Sequence, residues 1–387
     1  MDELLDKTNL DFRARARHIA ETVVRPIAAE LDRDNKYPWP IIEALKKDGL
    51  MGVWIPKEYG GLGAGVLNLC IVVEELSRAC GGVGVAYAVN ALGSFPIILG
   101  GSEEQKHKYL PLIATGEKLI SFGLSEKESG SDASALKTAA VRDGDHYVLN
   151  GDKKWNTNGG AASFYTIYAI TRPPGGVRGL SAIVVEKGTP GFEIGHLEDK
   201  MGIRCVPVHE LHFRDCRVPA ANLLGGVENG GFKSAMQTLD RARPGVAAQA
   251  VGLAQGALDL AVAYARERQQ FGQPIAAFQG IQWMLADMAT QIEAARQLVY
   301  ACARAVDLGA KNFSKLSAMA KLFASDVAMK VTTDAVQIFG GYGYIKDYPI
   351  EKYMRDAKIT QIYEGTNQIQ RLVIARHLIK EAAAGKE

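Results

Sequence analysis

"HYVLNGDKKWNTNG", His146 to Gly159, is where the chain changes its period. Strand-forming residues flank Asn150-Gly151, a dipeptide suited to a two-residue hairpin, so the stretch predicts strand, turn and strand. "FYTIYAIT" (164–171), "LSAIVVE" (180–186) and "HELHFRD" (209–215) continue the same character. A β domain is therefore expected over residues 118–231. On both sides the period is helical. From Asp11 to about Glu117 the helical pattern is punctuated at "YPWP" (37–40), "EYGGLGAG" (58–65) and "GGSEEQ" (100–105). Beyond residue 231, Phe278, Ile281, Leu285, Met288, Ile292, Ala295, Val299, Cys302 and Val306 recur by threes and fours and require a long helical partner. The expectation is an α+β multidomain chain: an N-terminal helical domain at 1–117, the β domain, and a C-terminal helical domain at 232–387.

Composition narrows the function classes. The 45 Lys and Arg against 43 Asp and Glu leave +2 with no run of one sign, which argues against nucleic acid as partner. Five cysteines, an odd number with no CxxC pair, fit a reducing compartment. The acidic start "MDELLDKTNL" lacks the basic, apolar character of a leader, so a cytoplasmic location is expected, or the mitochondrial matrix if this is a processed form. Ala79 to Ser102 is uncharged and long enough to cross a bilayer. Gly81, Gly82, Gly84, Gly93 and Pro96 break the run up and Asn90 sits in its middle, which instead predicts a buried helix that walls a pocket, not a membrane span.

Neither GxGxxG nor GxxxxGK[ST] occurs, so any nucleotide is bound another way. Cys205, His209, His212 and Cys216 have the types of a zinc set. Along a strand, however, His209 and His212 face opposite sides, and no metal is expected. "FGLSEKESGSD" (122–132) crowds Ser125, Ser129, Gly130 and Ser131 where hydroxyl and main-chain N–H groups approach an anion or a polar ring edge; an ordinary loop has the same composition. "KKWNTNG" (153–159) alternates Trp155 with Thr157, so that both lie on one face, as cover for a flat heterocycle or as core. "LDRARPG" (239–245) interrupts a helical stretch with a basic pair, Arg241 and Arg243. "RERQQFGQPI" (266–275) and the triple-glycine run of "QIFGGYGYIKDYPIEKYMRD" (337–356) mark helix ends where a backbone can pass close to a ligand.

Taken together and in order, "GSD" (130–132), "KKWNTNG", "LDRARPGVAAQAVG", "RERQQFGQP", "AVQIFGGYGY" and "MRDAKITQIYEGTNQIQR" resemble the acyl-CoA dehydrogenase family from end to end. The resemblance implies a helical N-terminal domain, a β-barrel-like middle domain and a C-terminal four-helix bundle, assembled as a homotetramer that holds FAD. It implies flavin contacts at Phe122, Leu124, Ser125, Ser131, Trp155 and Thr157. Arg268, Gln270, Phe271 and Gln279 match contacts to the FAD of one subunit, Gln337 and Gly341 match contacts supplied across an interface, and Thr366 and Gln368 complete the set. Ser131, Asp240 and Arg243 match contacts to the pantetheine and CoA. The chain departs from the common pattern at Lys127 and Ser129, where proline and alanine are usual, and at Asn156, where an apolar residue is common.

The resemblance also gives "QIYEGTNQIQ" (361–370) a role. A thioester α-proton is weakly acidic, so its removal needs a positioned base of raised pKa and stabilisation of the enolate-like oxygen. Glu364 is the expected base, shielded by Tyr363, with Gly365 leaving room for the acyl chain; a solvated acid before a helix N-terminus is the bland alternative. Some relatives carry the base at the position of Ala242, which cannot serve here. The implied reaction is α,β-dehydrogenation of an acyl-CoA to the 2-enoyl-CoA, with electrons passed to an electron-transferring flavoprotein. An acyl-CoA oxidase, a nitroalkane-oxidase-like enzyme and a flavin-binding scaffold are the alternatives. The uncharged stretch Gly81–Phe95 is expected to floor the acyl pocket, with Ala88 leaving depth and Tyr87 and Leu92 closing it. Lacking Lys or Arg, it suits a short- to medium-chain monocarboxylic acyl group, straight, branched or alicyclic, and disfavours a dicarboxylic one.

Overall fold

The computed structural model describes residues 2–172 and 176–385. Six helices come first: α1 (Lys7–Ile19), α2 (Arg25–Asp34), α3 (Trp39–Lys47), α4 (Gly65–Ala79), α5 (Gly81–Gly100) and α6 (Glu103–Ala114). Seven strands follow, β1 (Ile120–Gly123), β2 (Ala139–Asp143), β3 (His146–Thr157), β4 (Phe164–Ile170), β5 (Leu180–Glu186), β6 (Phe192–Leu197) and β7 (Val208–Pro219). The C-terminal part holds α7 (Gly231–Glu267), a short hairpin of β8 (Gln269–Gln270) and β9 (Gln273–Pro274), α8 (Gln279–Asp307), α9 (Phe313–Phe339), the single turn α10 (Gly341–Tyr344), α11 (Ile350–Lys358) and α12 (Asn367–Ala384). The stripe from Phe278 to Val306 lies on α8, and its central residues from Met288 to Cys302 are buried in the core shared with α7 and α9.

The sheet runs β1-β4-β2-β3-β7-β6, with β5 pairing β4, and curls around a core of its own that includes Tyr147, Leu149, Ile183 and Phe213. Asn150-Gly151 is not a hairpin. β3 continues through it, the register against β7 shifts between Leu149 and Gly151, and Gly151 takes φ 144°. The position is a bulge, where a β-carbon would stand 2.6 Å from the Thr138 hydroxyl. Asn150 fixes it by exchanging two hydrogen bonds with Asp215, Nδ2 to Oδ1 at 3.1 Å and Asp215 N–H to Oδ1 at 2.9 Å. The turn falls instead at Gly144-Asp145, between the paired residues Asp143 and His146. Both dipeptides carry turn chemistry, and strand-forming residues flank both, so local sequence did not separate them.

"LDRARPG" does not break its helix either. α7 runs for 37 residues with Pro244 inside it. Proline cannot donate to the carbonyl four residues back, here Asp240. The Ser317 hydroxyl of α9 donates to that carbonyl at 2.8 Å, so the orphaned acceptor is satisfied from a neighbouring helix.

α5 and α7 are each long and apolar enough to cross a bilayer, and both bury most of their length inside the protein. Asn90 ties α5 to the sheet: its Oδ1 accepts from the Ile120 N–H at 3.1 Å and its Nδ2 donates to the Ala86 carbonyl at 3.0 Å. α4 lies backbone-close to α7. A β-carbon on Gly252 would stand 2.3 Å from the Glu74 carbonyl oxygen, and one on Gly256 2.3 Å from that of Arg78. Gly252→Ala is therefore expected to force the helices apart and cost about 1–3 kcal/mol, read as a lower thermal midpoint and lower soluble yield.

Candidate active site

A cavity of about 1070 Å³ opens between the three parts of the chain. α5 supplies Val85, Ala88, Val89, Leu92 and Phe95; the end of β1 and the loop after it supply Phe122, Leu124, Ser125 and Ser131. β3 contributes Trp155 and Thr157, α7 contributes Ala242, Arg243, Val246 and Gln249, and the segment before α12 contributes Tyr363 to Thr366. Eleven of the expected contacts, from Phe122 to Thr366, thus meet in one space. Asp240 reaches it through Arg243, whose Nη1 donates to Asp240 Oδ1 at 2.6 Å. Gln368 lines a smaller neighbouring hollow together with Thr366.

The expected floor is largely in place, with one correction. Ala88 and Leu92 line the cavity, whereas Tyr87 points away, fully buried, its hydroxyl donating to the Leu50 carbonyl at 2.8 Å and its ring edge-on to Trp54. Simple alternation does not explain Trp155 and Thr157 either. Trp155 has φ 64° and the pairing with β7 is irregular between Lys153 and Asn156, yet both side chains reach the cavity because that twist turns Trp155 outward. The indole is 56% exposed, with the Lys154 ammonium 4.6 Å from its ring.

The departures from the family pattern have structural partners. Ser129 is buried and donates to the Asp132 carbonyl at 2.6 Å, so its hydroxyl braces the loop that carries Ser131. The same loop is anchored by Glu126, which accepts from the buried Lys153 ammonium at 2.7 Å and from the main-chain N–H groups of Lys137 and Thr138. Asn156 is buried and donates to the His209 carbonyl at 3.0 Å. Cys205 and Cys216 sit in different cores, Cys205 against Cys80 at 4.0 Å, so the Cys and His set does not converge.

Glu364 stands in the cavity wall in a left-handed turn, with φ 51° followed by Gly365 at 91°. Its Oε2 is shielded from solvent and has no hydrogen-bond partner. Burial pushes the carboxyl up to about 7, against the pull of the Arg243 and Lys321 cations. Arg243, nearly fully buried, touches the main chain of this residue and not its carboxylate, Nε donating to the Glu364 carbonyl at 3.2 Å. Tyr363 donates to Gln249 Oε1, and Gln249 donates in turn to the Gly81 carbonyl at 2.9 Å, which joins the turn to the start of α5. Gln249, Lys321 and Gln370 escaped the sequence reading. Lys321 alone left a signal, a single cation on the alanine-rich buried face of α9.

The remaining expected contacts lie elsewhere. Arg268, Gln270, Phe271, Gln279, Gln337 and Gly341 do not line the cavity. They gather around the β8–β9 hairpin and α10, where the Arg268 guanidinium lies 5.5 Å from the Tyr342 ring and Phe271 is 93% exposed. α7 is unbroken between Arg243 and Arg268, so its rise alone separates the two groups by about 37 Å.

The cavity fits a flavin. An exposed indole beside the Thr157 hydroxyl offers a flat face with a polar edge, and the Lys200 ammonium, on the cavity lining and shielded from water, has no partner and suits a ring carbonyl or an anion.

Family models of the acyl-CoA dehydrogenase N-terminal, middle and C-terminal domains match residues 6–117, 121–216 and 229–379. The chain is 48% identical to the short-chain-specific acyl-CoA dehydrogenase of Clostridium acetobutylicum, over 98% of this chain and 100% of that protein. Its fold matches butyryl-CoA dehydrogenase from Megasphaera elsdenii with a TM-score of 0.94 at 46% identity, covering 97% and 99% of the two chains. A chain in the structure described as the electron transferring flavoprotein of Acidaminococcus fermentans matches with a TM-score of 0.95 at 51% identity, covering 98% and 99%. Cavity, turn and comparisons agree, and the chain belongs to the acyl-CoA dehydrogenase family, oxidoreductases of acyl-CoA metabolism whose members are FAD-dependent flavoproteins.

Proposed function

We propose that this protein oxidises a short- to medium-chain monocarboxylic acyl-CoA to its 2-enoyl-CoA, with Glu364 as the base. The observation that carries this is the unpartnered Glu364 carboxylate oxygen, aimed from a strained turn into a largely apolar cavity. A carboxylate stripped of water and partners has a raised proton affinity, which narrows the gap to a weakly acidic α-carbon. Trp155 and Thr157, with Phe122, Leu124, Ser125 and Ser131 beside them, would hold the FAD, which would supply the acceptor for the β-hydride. Arg243 holds the Glu364 main chain from below, and Asp240 holds Arg243. The acyl chain runs along α5, whose Val85, Ala88, Val89 and Leu92 exclude water and offer no cation to a second carboxylate.

The Arg268–Phe271 hairpin, Gln279, Gln337 and Gly341 are about 37 Å along α7 from Arg243, too far to serve the ring end of the same cofactor. We propose that they complete the FAD site of another copy in a homotetramer, which would also cover the exposed Phe271 and Tyr344. The likeness to the chain in the electron transferring flavoprotein structure supports such a flavoprotein as electron acceptor.

Glu364→Gln is expected to slow flavin reduction by a hundred-fold or more, on the order typical for loss of a general base, while acyl-CoA still binds. In the unsubstituted protein the base is the ionised form, so kcat/KM should fall as pH drops through about 7, where burial places the Glu364 carboxyl. Stopped-flow bleaching of the flavin across pH checks both, and near-normal reduction by Glu364→Gln would put the base elsewhere. An anaerobic panel of straight, branched and alicyclic thioesters should favour acyl groups of short to medium length; best activity with a glutaryl or long-chain thioester contradicts the apolar, closed floor. Substrate-reduced enzyme should be re-oxidised fast by an electron-transferring flavoprotein and slowly by air, and stoichiometric peroxide at full turnover speed would assign it as an oxidase.

A further inference from the structure

Glu364 and Gly365 both adopt positive φ, so the turn they form is not held by regular helix or strand bonds. A residue with a β-carbon is disfavoured there, and the turn persists only if its surroundings impose it. Its carbonyl groups are gripped from three helices. From α7, Arg243 Nε donates to the Glu364 carbonyl at 3.2 Å. From α12, Gln370 Nε2 donates to the Gly365 carbonyl at 2.8 Å. From α9, Lys321 Nζ donates to the same carbonyl at 2.9 Å and to Asn367 Oδ1 at 2.9 Å.

We infer that Lys321 is a positioning residue for the proposed base: its ammonium clamps the Gly365 carbonyl, fixes the turn that aims Glu364 into the cavity, and lends that carboxylate a nearby positive charge. This rests on Glu364 being the base. Lys321 is fully buried on a face of α9 that it shares with Ser317, Ala318, Ala324 and Ser325, none of which carries a charge to offset it, a costly place for a cation unless it is used. Both its acceptors are neutral oxygens, so its charge is not cancelled at contact. Asn367 stands between it and Asp326, donating to Asp326 Oδ1 at 2.8 Å.

Charged groups reach the turn or its cavity from four helices. α7 brings Arg243 with its partner Asp240; α9 brings Lys321 and Asp326; α12 brings Arg371, 3.3 Å from Asp326, and Arg376 on the cavity lining; α11 brings Arg355 and Lys358 on the same lining and Asp356, which is paired with Lys352. The turn itself adds the half-buried Tyr363 phenol, and the stretch of α5 across the cavity is uncharged. Burial pulls the Lys321 ammonium down to about 7, with Glu364 pulling it up and Arg243 pushing it down. Each group therefore favours the charged form of the other. Removing the cation leaves burial and Arg243 alone to act on Glu364, so its pKa rises.

The test is stopped-flow flavin reduction by the holoenzyme across pH, with acyl-CoA affinity read separately from the perturbed flavin spectrum. Lys321→Met should slow reduction at neutral pH by about tenfold and move the acid limb up by about one pH unit, with little change in affinity. Gln370→Leu removes the other donor to the Gly365 carbonyl without changing charge, and should slow reduction while the limb stays put. Lys321→Gln, which keeps a polar group against Asn367, should move the limb in the same direction and serves if Lys321→Met does not fold. An unmoved limb in the Lys321 variants, or a limb displaced equally by Gln370→Leu, overturns the inference. Glu364→Gln run alongside separates the two failures: rapid reduction by that variant removes the base assignment, whereas an inactive Glu364→Gln beside unaltered Lys321 variants removes only the role of Lys321.

Discussion

Backbone contact between α7 and α4 is the constraint on which the rest of the molecule depends. Two helices approach this closely only where one of them lacks side chains, and Gly252 and Gly256 provide that gap opposite the Glu74 and Arg78 carbonyls. Only the extended residue Cys80 joins α4 to α5, so seating one constrains the other. α5 is then held across the same stretch of α7 that carries Arg243 and Gln249, and its other side is tied to β1 through Asn90. The cavity is the space left between these three fixed elements. Its apolar wall follows from α5 being buried against protein along most of its length.

Within that space a single carboxylate is kept without a partner, and the surroundings explain how it is tolerated. Arg243 and Lys321 lie near Glu364 but spend their hydrogen bonds on main-chain carbonyls, on Asp240 and on Asn367. The cations moderate the cost of burial electrostatically while leaving Oε2 free. A direct ion pair would have lowered the proton affinity of the acid and occupied the atom that the proposed chemistry requires. Pro244 belongs to the same arrangement. It frees the Asp240 carbonyl, the Ser317 hydroxyl takes it, and α9 is thereby registered against α7 four residues from the helical position of Lys321.

Much of this was legible in the chain. The change of period at His146, the long stripe on α8 and the motifs around Ser131, Trp155, Arg243 and Glu364 identified the layout, the family and the residues that meet in the cavity. The misplacements were local ones. Asn150-Gly151 has hairpin chemistry but forms a bulge, because β7 pairs along both halves of β3; Pro244 has the chemistry of a helix stop but is bridged by a serine 73 residues further along the chain. Tyr87 belongs to the helix that walls the cavity, yet its direction is set by Leu50 and Trp54, neither of which its own neighbours in sequence reveal.

The sequence by itself determined the order of helices and strands, the apolar character of α5 and the presence of an acid before α12, since periodicity and turn chemistry report how each segment meets its immediate surroundings. It could not determine which segments share a space. Arg243 lies on α7 and Arg268 caps its end, but only the unbroken course of that helix shows that they are about 37 Å apart. Lys321 and Gln370 look like an ordinary lysine and glutamine until packing brings α9 and α12 together beneath the Glu364 turn. Tertiary structure decided these matters because a hydrogen bond to a main-chain carbonyl leaves no pattern in either partner's local sequence; it exists only where separate helices have been packed into contact.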